Sequence, residues 1–332
     1  MTDNNIVSIR GLKVGLASTS GYVYAVRNIN LDIKKGEILG LVGESGCGKS
    51  MTAKSILRLH DEQKTEYHGE IIYEDGKDIL KMSEEELSKL RGGEISMIFQ
   101  DPITTLNPLV QIGKQMMEMF KLHSNISKDE AKEKCLHLLE AVGITPAEER
   151  FHSYPFQMSG GQLQRVSIAM SLACDPKLLI ADEPTTALDV TMQAQILELL
   201  KKLRDEFGTS ILVITHNFGV VAEICSRVAV MYAGQIVESG DVKDIFYNPK
   251  HPYTRDLIGS IPKTGCAGEK LVTIPGAPPQ LNRSIEGCPY EPRCKYADES
   301  CHSWTPELVN ETGEHLYLCR KDIKSPADGG LK

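Results

Sequence analysis

The chain has 332 residues, 41% of them hydrophobic and 25% charged, which is ample material for a sizeable core and more than one average domain. Its formal net charge of −8 argues against an extended nucleic-acid surface, which would need concentrated Lys and Arg, so no nucleic-acid partner is expected. The N-terminus "MTDNNIVSIR" lacks the apolar stretch of a secretory leader, and runs such as "ILVI" at 211–214 fall far below the ~18 residues of a membrane span. A cytosolic chain that touches a membrane only through a partner is expected.

In chain order, strand-like "IVSIR" and "INLDI" precede the apolar run Ile38–Val42, a Gly-rich turn and a helix. From about Gln100 to Phe156 the pattern is mostly helical. "DEAKEKCLHLLEAVGI" places Ala131, Cys135, Leu138, Leu139 and Val142 on one face. Next, "KLLIAD" and "SILVITH" are nearly unbroken apolar runs, as in parallel strands covered on both sides. The helix between them presents Ile196, Leu199, Leu200, Leu203 and Phe207 at helical spacing and ends at Gly208. Strand, helix, strand in this order indicates an α/β parallel sheet. "VAVMYAGQIVESG" reads as a hairpin turning at Ala233–Gly234. After Gly240 the chain becomes proline- and cysteine-rich, and its end, "SPADGGLK", has the composition of a disordered tail.

Three motifs carry chemistry. "GESGCGKS" (Gly43, Glu44, Ser45, Gly46, Cys47, Gly48, Lys49, Ser50) fits G-x-x-x-x-G-K-[ST] between a strand and a helix. Its glycines let backbone N–H groups curl around phosphates at a helix N-terminus, which continues into Met51. Lys49 would reach the β- and γ-phosphates, the Ser50 hydroxyl would bind Mg²⁺, and Cys47 would contribute only its backbone. In "LLIADEP" a buried strand delivers Asp182 to hold Mg²⁺ and leaves Glu183 free to polarise an attacking water. "MSGGQLQRVSIA" opens a helix with a serine and two glycines, a second anion-seeking N-terminus where one nucleotide rarely needs two.

In this order the motifs resemble the ATP-binding subunits of ATP-binding cassette (ABC) membrane transporters. The resemblance implies ATP and Mg²⁺ as ligands and a RecA-like P-loop core with a β-rich N-terminal part and a helical signature subdomain. It implies that Ser159, Gly160, Gly161 and Gln162 grip the γ-phosphate held by a second subunit. Gln100 would be the Q-loop residue that senses Mg²⁺ and the membrane partner, Asp189 in "TALD" would belong to the D-loop, and His216 would be the switch histidine. The adenine platform departs from the pattern: spacing places Ser20 where an aromatic residue is expected, and Tyr22 and Tyr24 are the neighbouring substitutes.

"FQDPITTLNP", "NPKHPYTRDLI" and the tail cysteines narrow the resemblance to the oligopeptide/dipeptide/nickel importer branch, from about Ile6 to Arg320. This implies a nucleotide-binding domain over 1–240, with its helical subdomain at about 100–165, and an extension over 241–332. It also implies a second ATPase subunit (in this branch usually a different protein), two permease subunits, an extracytoplasmic solute-binding protein, and a peripheral position on the cytoplasmic face of the membrane. A soluble cassette ATPase of translation or repair would carry two cassettes or a long coiled coil, and neither is visible. Intact Glu183 and His216 oppose a regulator without turnover.

Cys288, Cys294, Cys301 and Cys319 follow C-x5-C-x6-C-x17-C, without the C-x2-C knuckle typical of structural zinc. A reducing cytosol disfavours disulfides. The segment from about Gly276 is too poor in large apolar residues to build its own core, a situation that calls for a staple. Four thiolates suit Zn²⁺ or an iron–sulfur cluster, and unligated thiols are the third reading. In the resembling branch the same pattern is associated with a [4Fe–4S] cluster, whose charge the nearby Arg293 and Lys295 would offset.

Overall fold

The structure is a computed structural model that describes residues 4–19, 21–101, 105–186, 188–261, 273–281, 285–304, 309–312, 314–321 and 323. Ser20 and the end of the tail lie outside them. The strands are β1 (Asn5–Ser18), β2 (Gly21–Lys34), β3 (Ile38–Val42), β4 (Thr65–Tyr73), β5 (Ile95–Ile98), β6 (Leu178–Asp182), β7 (Ser210–Thr215), β8 (Arg227–Tyr232), β9 (Gln235–Asp241), β10 (Val309–Thr312) and β11 (His315–Tyr317). The chain divides into two compact units.

The first unit comprises Met1–Val7, Ile33–Ile38 and Tyr73–Ile214. Its β6 runs parallel to β5 on one side and β7 on the other. Every residue of these three strands is buried, which is why their sequences are mostly apolar instead of alternating. Helices Ile112–His123, Lys128–Ala141, Ala147–His152 and Gly160–Ser171 pack against one another in the same unit. Ser127 and Glu130 form a reciprocal capping box at the start of Lys128–Ala141. Ala131, Cys135 and Leu139 are buried on that helix as expected, with Val142 just beyond it, while Leu138 is half-buried. Helix Val190–Phe207 buries Ile196, Leu197, Leu200 and Leu203. Phe207 corrects the expectation: it is 65% exposed, because the buried stripe ends at Leu203 and the last turn runs into the left-handed Gly208.

The second unit comprises Ser8–Asp32, Leu39–Ile72 and Thr215–Lys332. It holds most of the three-stranded sheet β2-β1-β4. It also holds β3 parallel to β8, and the antiparallel series β8-β9-β11-β10. The β8–β9 hairpin turns where expected, with Ala233 and Gly234 both at positive φ (48° and 81°), the twist that a two-residue hairpin loop requires. The cysteine-bearing tail borrows a core from the body of this unit. Tyr290 is fully buried against Tyr232 of β8 and Tyr253 of helix Pro252–Gly259, with ring centroids 5.2 and 5.3 Å away. The tail strand β11 pairs with β9.

Beneath this junction the buried Glu238 carboxylate accepts from the backbone N–H groups of Lys250 (2.6 Å) and His251 (2.9 Å) and pairs with His315 Nε2 (2.8 Å). His251 caps helix Pro252–Gly259, its Nδ1 accepting from Tyr253 N (3.1 Å). Burial pushes the His251 imidazole down to about 4, against the opposing pull of Glu238, Asp256 and the Leu318 backbone. Between about pH 6.5 and pH 4 the unfolded chain therefore binds a proton that the folded one refuses, and stability falls as pH falls. The expected loss is up to about 3 kcal/mol. In denaturant unfolding across this range, His251→Asn, which keeps a capping acceptor, should flatten the pH dependence. An unchanged slope would contradict the assignment.

Candidate functional site

The buried β3 ends at Val42 and releases the chain into Gly43–Gly48, ahead of helix Lys49–Ile56. Gly43 has φ 153°, and a Cβ there would lie 2.2 Å from the Met231 carbonyl oxygen, so β8 admits only glycine where the turn leaves the strand. Lys49 is buried, its Nζ donating to the carbonyls of Gly43 (2.8 Å) and Glu44 (3.0 Å). The ammonium is thus held over the loop, on carbonyls that an anionic ligand can outcompete. Cys47 is buried beside it, and desolvation raises its thiol pKa. Ser50 and Met51 are the next helical residues. Tyr22 on β2 is exposed, and Tyr24 lies tilted against His68 with ring centroids 6.3 Å apart. His216 is exposed directly after β7, ahead of the short helix Phe218–Ile224.

The first unit assembles the other motifs. Asp182 is buried at the C-terminal end of β6, in register with Ile214. Glu183 follows with φ 50°, an unusual conformation for a side chain of this type and one that collects at functional positions. Its Oε2 accepts from Thr186 Oγ1 (2.8 Å) and Gln100 Nε2 (3.2 Å), so the glutamine and the carboxylate, 83 positions apart in sequence, meet. Ser159 is the N-cap of helix Gly160–Ser171, with reciprocal bonds to Gln162 (3.3 and 3.0 Å). Gln164 of the same helix donates to the Pro184 carbonyl (3.2 Å), tying the serine-glycine turn to the residue after Glu183. A Cβ on Gly160 would meet nothing within 4 Å, and one on Gly161 only ordinary contacts. Among the described residues nothing near Gly160 requires glycine. Asp189 caps helix Val190–Phe207, its Oδ1 accepting from Met192 N (2.9 Å).

The family described as ABC transporter matches residues 26–186, and the C-terminal region of oligopeptide/dipeptide transporters matches residues 237–301. The oligopeptide transport ATP-binding protein OppD of Escherichia coli K12 is 48% identical over 319 residues, covering 96% of this chain and 94% of the relative. That of Bacillus subtilis 168 is also 48% identical, over 93% of this chain and 87% of the relative. The chain belongs to the ABC transporter family. Among solved structures, the ATP-binding cassette MJ0796, in a dimeric post-hydrolysis state bound to ADP and Pi, matches with TM-score 0.64 and 31% identity. That match covers 71% of this chain and 98% of the cassette. Clostridium perfringens cbiO1, part of an ABC transporter complex, matches with TM-score 0.62 and 29% identity over 74% and 92%. The architecture is thus that of an ABC ATPase cassette. Among the described residues no helix is long and apolar enough to cross a membrane.

Cys288, Cys294, Cys301 and Cys319 line one pocket, with His251, Tyr290 and Trp304 among its walls. All four are free thiols. Burial pushes Cys288 up to about 11, with Cys319, Cys294 and Cys301 adding to the shift, and burial likewise raises Cys294 and Cys319. Gly287 makes this convergence possible: at φ 69° it passes so close to the Cys301 and His302 carbonyls that a Cβ would collide, and Cys288 N donates to Cys301 O (3.0 Å). The donor set is soft and convergent, yet among the described residues no group of three or more His, Cys, Asp or Glu is arranged to hold a metal ion. The cations expected to offset a cluster's charge are committed elsewhere, because each has an acidic partner in reach. Arg293 pairs with Glu44 (2.7 Å) and Lys295 with Asp256 (3.1 Å). The "HPYT" motif also does more than its sequence suggests, since Tyr253 Oη accepts from Glu44 N (2.9 Å) in the phosphate loop.

Proposed function

We propose that the chain is the ATP-hydrolysing subunit of an importer that carries di- or oligopeptides across the cytoplasmic membrane. The observation that carries this reading is a single chain with intact phosphate-loop, carboxylate and signature motifs and a tail that matches the oligopeptide/dipeptide transporter region. The relatives' name, oligopeptide transport ATP-binding protein, supports the choice of cargo. Nickel or another small solute is the second reading, because this subunit does not itself have to touch the cargo.

In this proposal Gly43–Met51 and Lys49 cradle the triphosphate, Tyr22 stacks on adenine, and Ser50, Gln100 and Asp182 hold Mg²⁺ directly or through water. Glu183 polarises the attacking water and His216 senses the γ-phosphate. Ser159, Gly160, Gly161, Gln162 and Asp189 act across an interface on the nucleotide of a second, different ATPase subunit. Two permease subunits place the pair at the cytoplasmic face, and a solute-binding protein delivers cargo from outside. Leu109 and Phe156, 82% and 71% exposed, offer apolar surface for such contacts. Reconstitution with the neighbouring permease and binding-protein genes tests the reading: ATP hydrolysis should be stimulated by loaded binding protein, with peptides, and not nickel, as the cargo taken up.

For the tail we propose that the four cysteines hold a [4Fe–4S] cluster, with Zn²⁺ as the alternative, and that the group serves as a structural staple. A ligated metal contributes on the order of 10 kcal/mol to folding a small unit. Chain purified without oxygen should be brown, absorb broadly near ~400 nm and contain about four irons. Cys294→Ser should bleach it and expose the region after Gly276 to protease. Stoichiometric zinc without iron would end the cluster reading, and anaerobic protein free of both metals would end the staple.

A further inference from the structure

The phosphate loop carries an acid at its second position, Glu44, in a segment otherwise built to attract anions. An ionised carboxylate there opposes the loop's own task, since it repels the polyphosphate that the backbone N–H groups would bind. The fold answers this conflict with a residue 249 positions downstream. Arg293 donates from both terminal nitrogens to the Glu44 carboxylate, at 2.7 and 3.0 Å. This is the fork geometry that only arginine supplies. The Arg293 side chain is 4% exposed. Its Nε donates to the Pro275 carbonyl (2.8 Å), Nη1 also reaches Tyr232 Oη (3.3 Å), and the Tyr232 and Tyr290 rings flank it at 5.8 Å each. The guanidinium therefore has one orientation, and it delivers its charge to one place. Glu44 is fixed from the backbone as well: its N–H donates to Tyr253 Oη, and its carbonyl accepts from Lys49 Nζ and from Cys47 N (3.3 Å).

We infer that Arg293 is a positioning residue for nucleotide binding: it neutralises Glu44 and holds the phosphate loop in the shape that accepts a nucleoside triphosphate. This rests on the proposed ATP site at Gly43–Ser50. The cysteine-bearing tail is then part of the nucleotide machinery, because the turn Glu291–Arg293 that aims the guanidinium leads directly into Cys294.

The two halves of the pair separate this role from a plain structural brace. Removing Arg293 leaves an uncompensated anion beside the phosphates, whereas removing the Glu44 charge leaves an extra cation. In the full chain, Arg293→Gln should weaken binding of a fluorescent ATP analogue about tenfold, with a smaller loss for the diphosphate and a smaller one still for the monophosphate. Glu44→Gln should tighten triphosphate binding, and the double variant should return to within about threefold of the parent. In the assembled transporter Arg293→Gln should raise KM for ATP more than it lowers kcat. Arg293→Lys, which keeps the charge but not the fork, should fall between. If Arg293→Gln does not fold, Arg293→Lys and the direction of Glu44→Gln carry the test. Equal losses from both single variants without rescue in the double, or parental binding by Arg293→Gln, would overturn the inference. Lys49→Ala is the reference: parental triphosphate binding by that variant would instead remove the ATP site itself.

Discussion

Glu183→Gln is expected to leave ATP binding by the assembled complex near normal while lowering hydrolysis ~100-fold or more, as loss of a catalytic base should. The substitution changes little except basicity. Glutamine has the same length, still offers an oxygen to Thr186 Oγ1 and Gln100 Nε2, and meets the φ 50° backbone with the same steric demand. Asp182, the neighbouring carboxylate, is untouched on the buried β6, so Mg²⁺ ligation should persist. The complex should then accumulate with ATP bound, visible as retained nucleotide after rapid gel filtration. Near-parental turnover by the purified variant would take the base role away from Glu183 and leave its strained backbone without a function.

What the sequence revealed and what it hid follow one physical divide. Local and periodic signals were legible. The runs Ile38–Val42, Leu178–Ala181 and 211–214 are without charged or hydrogen-bonding side chains because those strands are buried throughout, and the Ala233–Gly234 turn announces itself through the residues that tolerate positive φ. The phosphate loop was legible because the backbone geometry it needs restricts residue type at several neighbouring positions. Pairings between distant side chains leave no such trace. Nothing in "CPYEPRC" says that Arg293 belongs to Glu44 and not to the cysteines beside it, and nothing in "HPYT" says that Tyr253 reaches the same loop. Phe207 shows the opposite failure, where a helical period ran on past the point at which the buried stripe stopped. The tail's shortage of apolar residues points to a need for a staple. Part of the answer is packing that composition cannot show, with Tyr290 seated among Tyr232, Tyr253 and the residues of β8.

Ser159→Arg should lower hydrolysis by the assembled transporter at least about tenfold while this chain's own phosphate loop keeps its affinity for ATP. Ser159 and Gly160 are exposed at the start of the 12-residue helix Gly160–Ser171, and Gly160 has open space where a side chain could stand. A helix N-terminus kept bare and small in this way can receive a phosphate from another molecule, and a bulky arginine would occupy that approach. Losing the cap alone costs about 1 kcal/mol of helix stability, so Ser159→Ala, which removes the hydroxyl but leaves the approach open, should lose less activity than Ser159→Arg. Vanadate trapping of a photoreactive nucleotide, with the two ATPase subunits separated afterwards, assigns the defect to one site. It should map to the subunit whose phosphate loop faces this helix, not to the loop around Lys49 in this chain. A defect in this chain's own loop would mean that the two subunits do not meet head to tail.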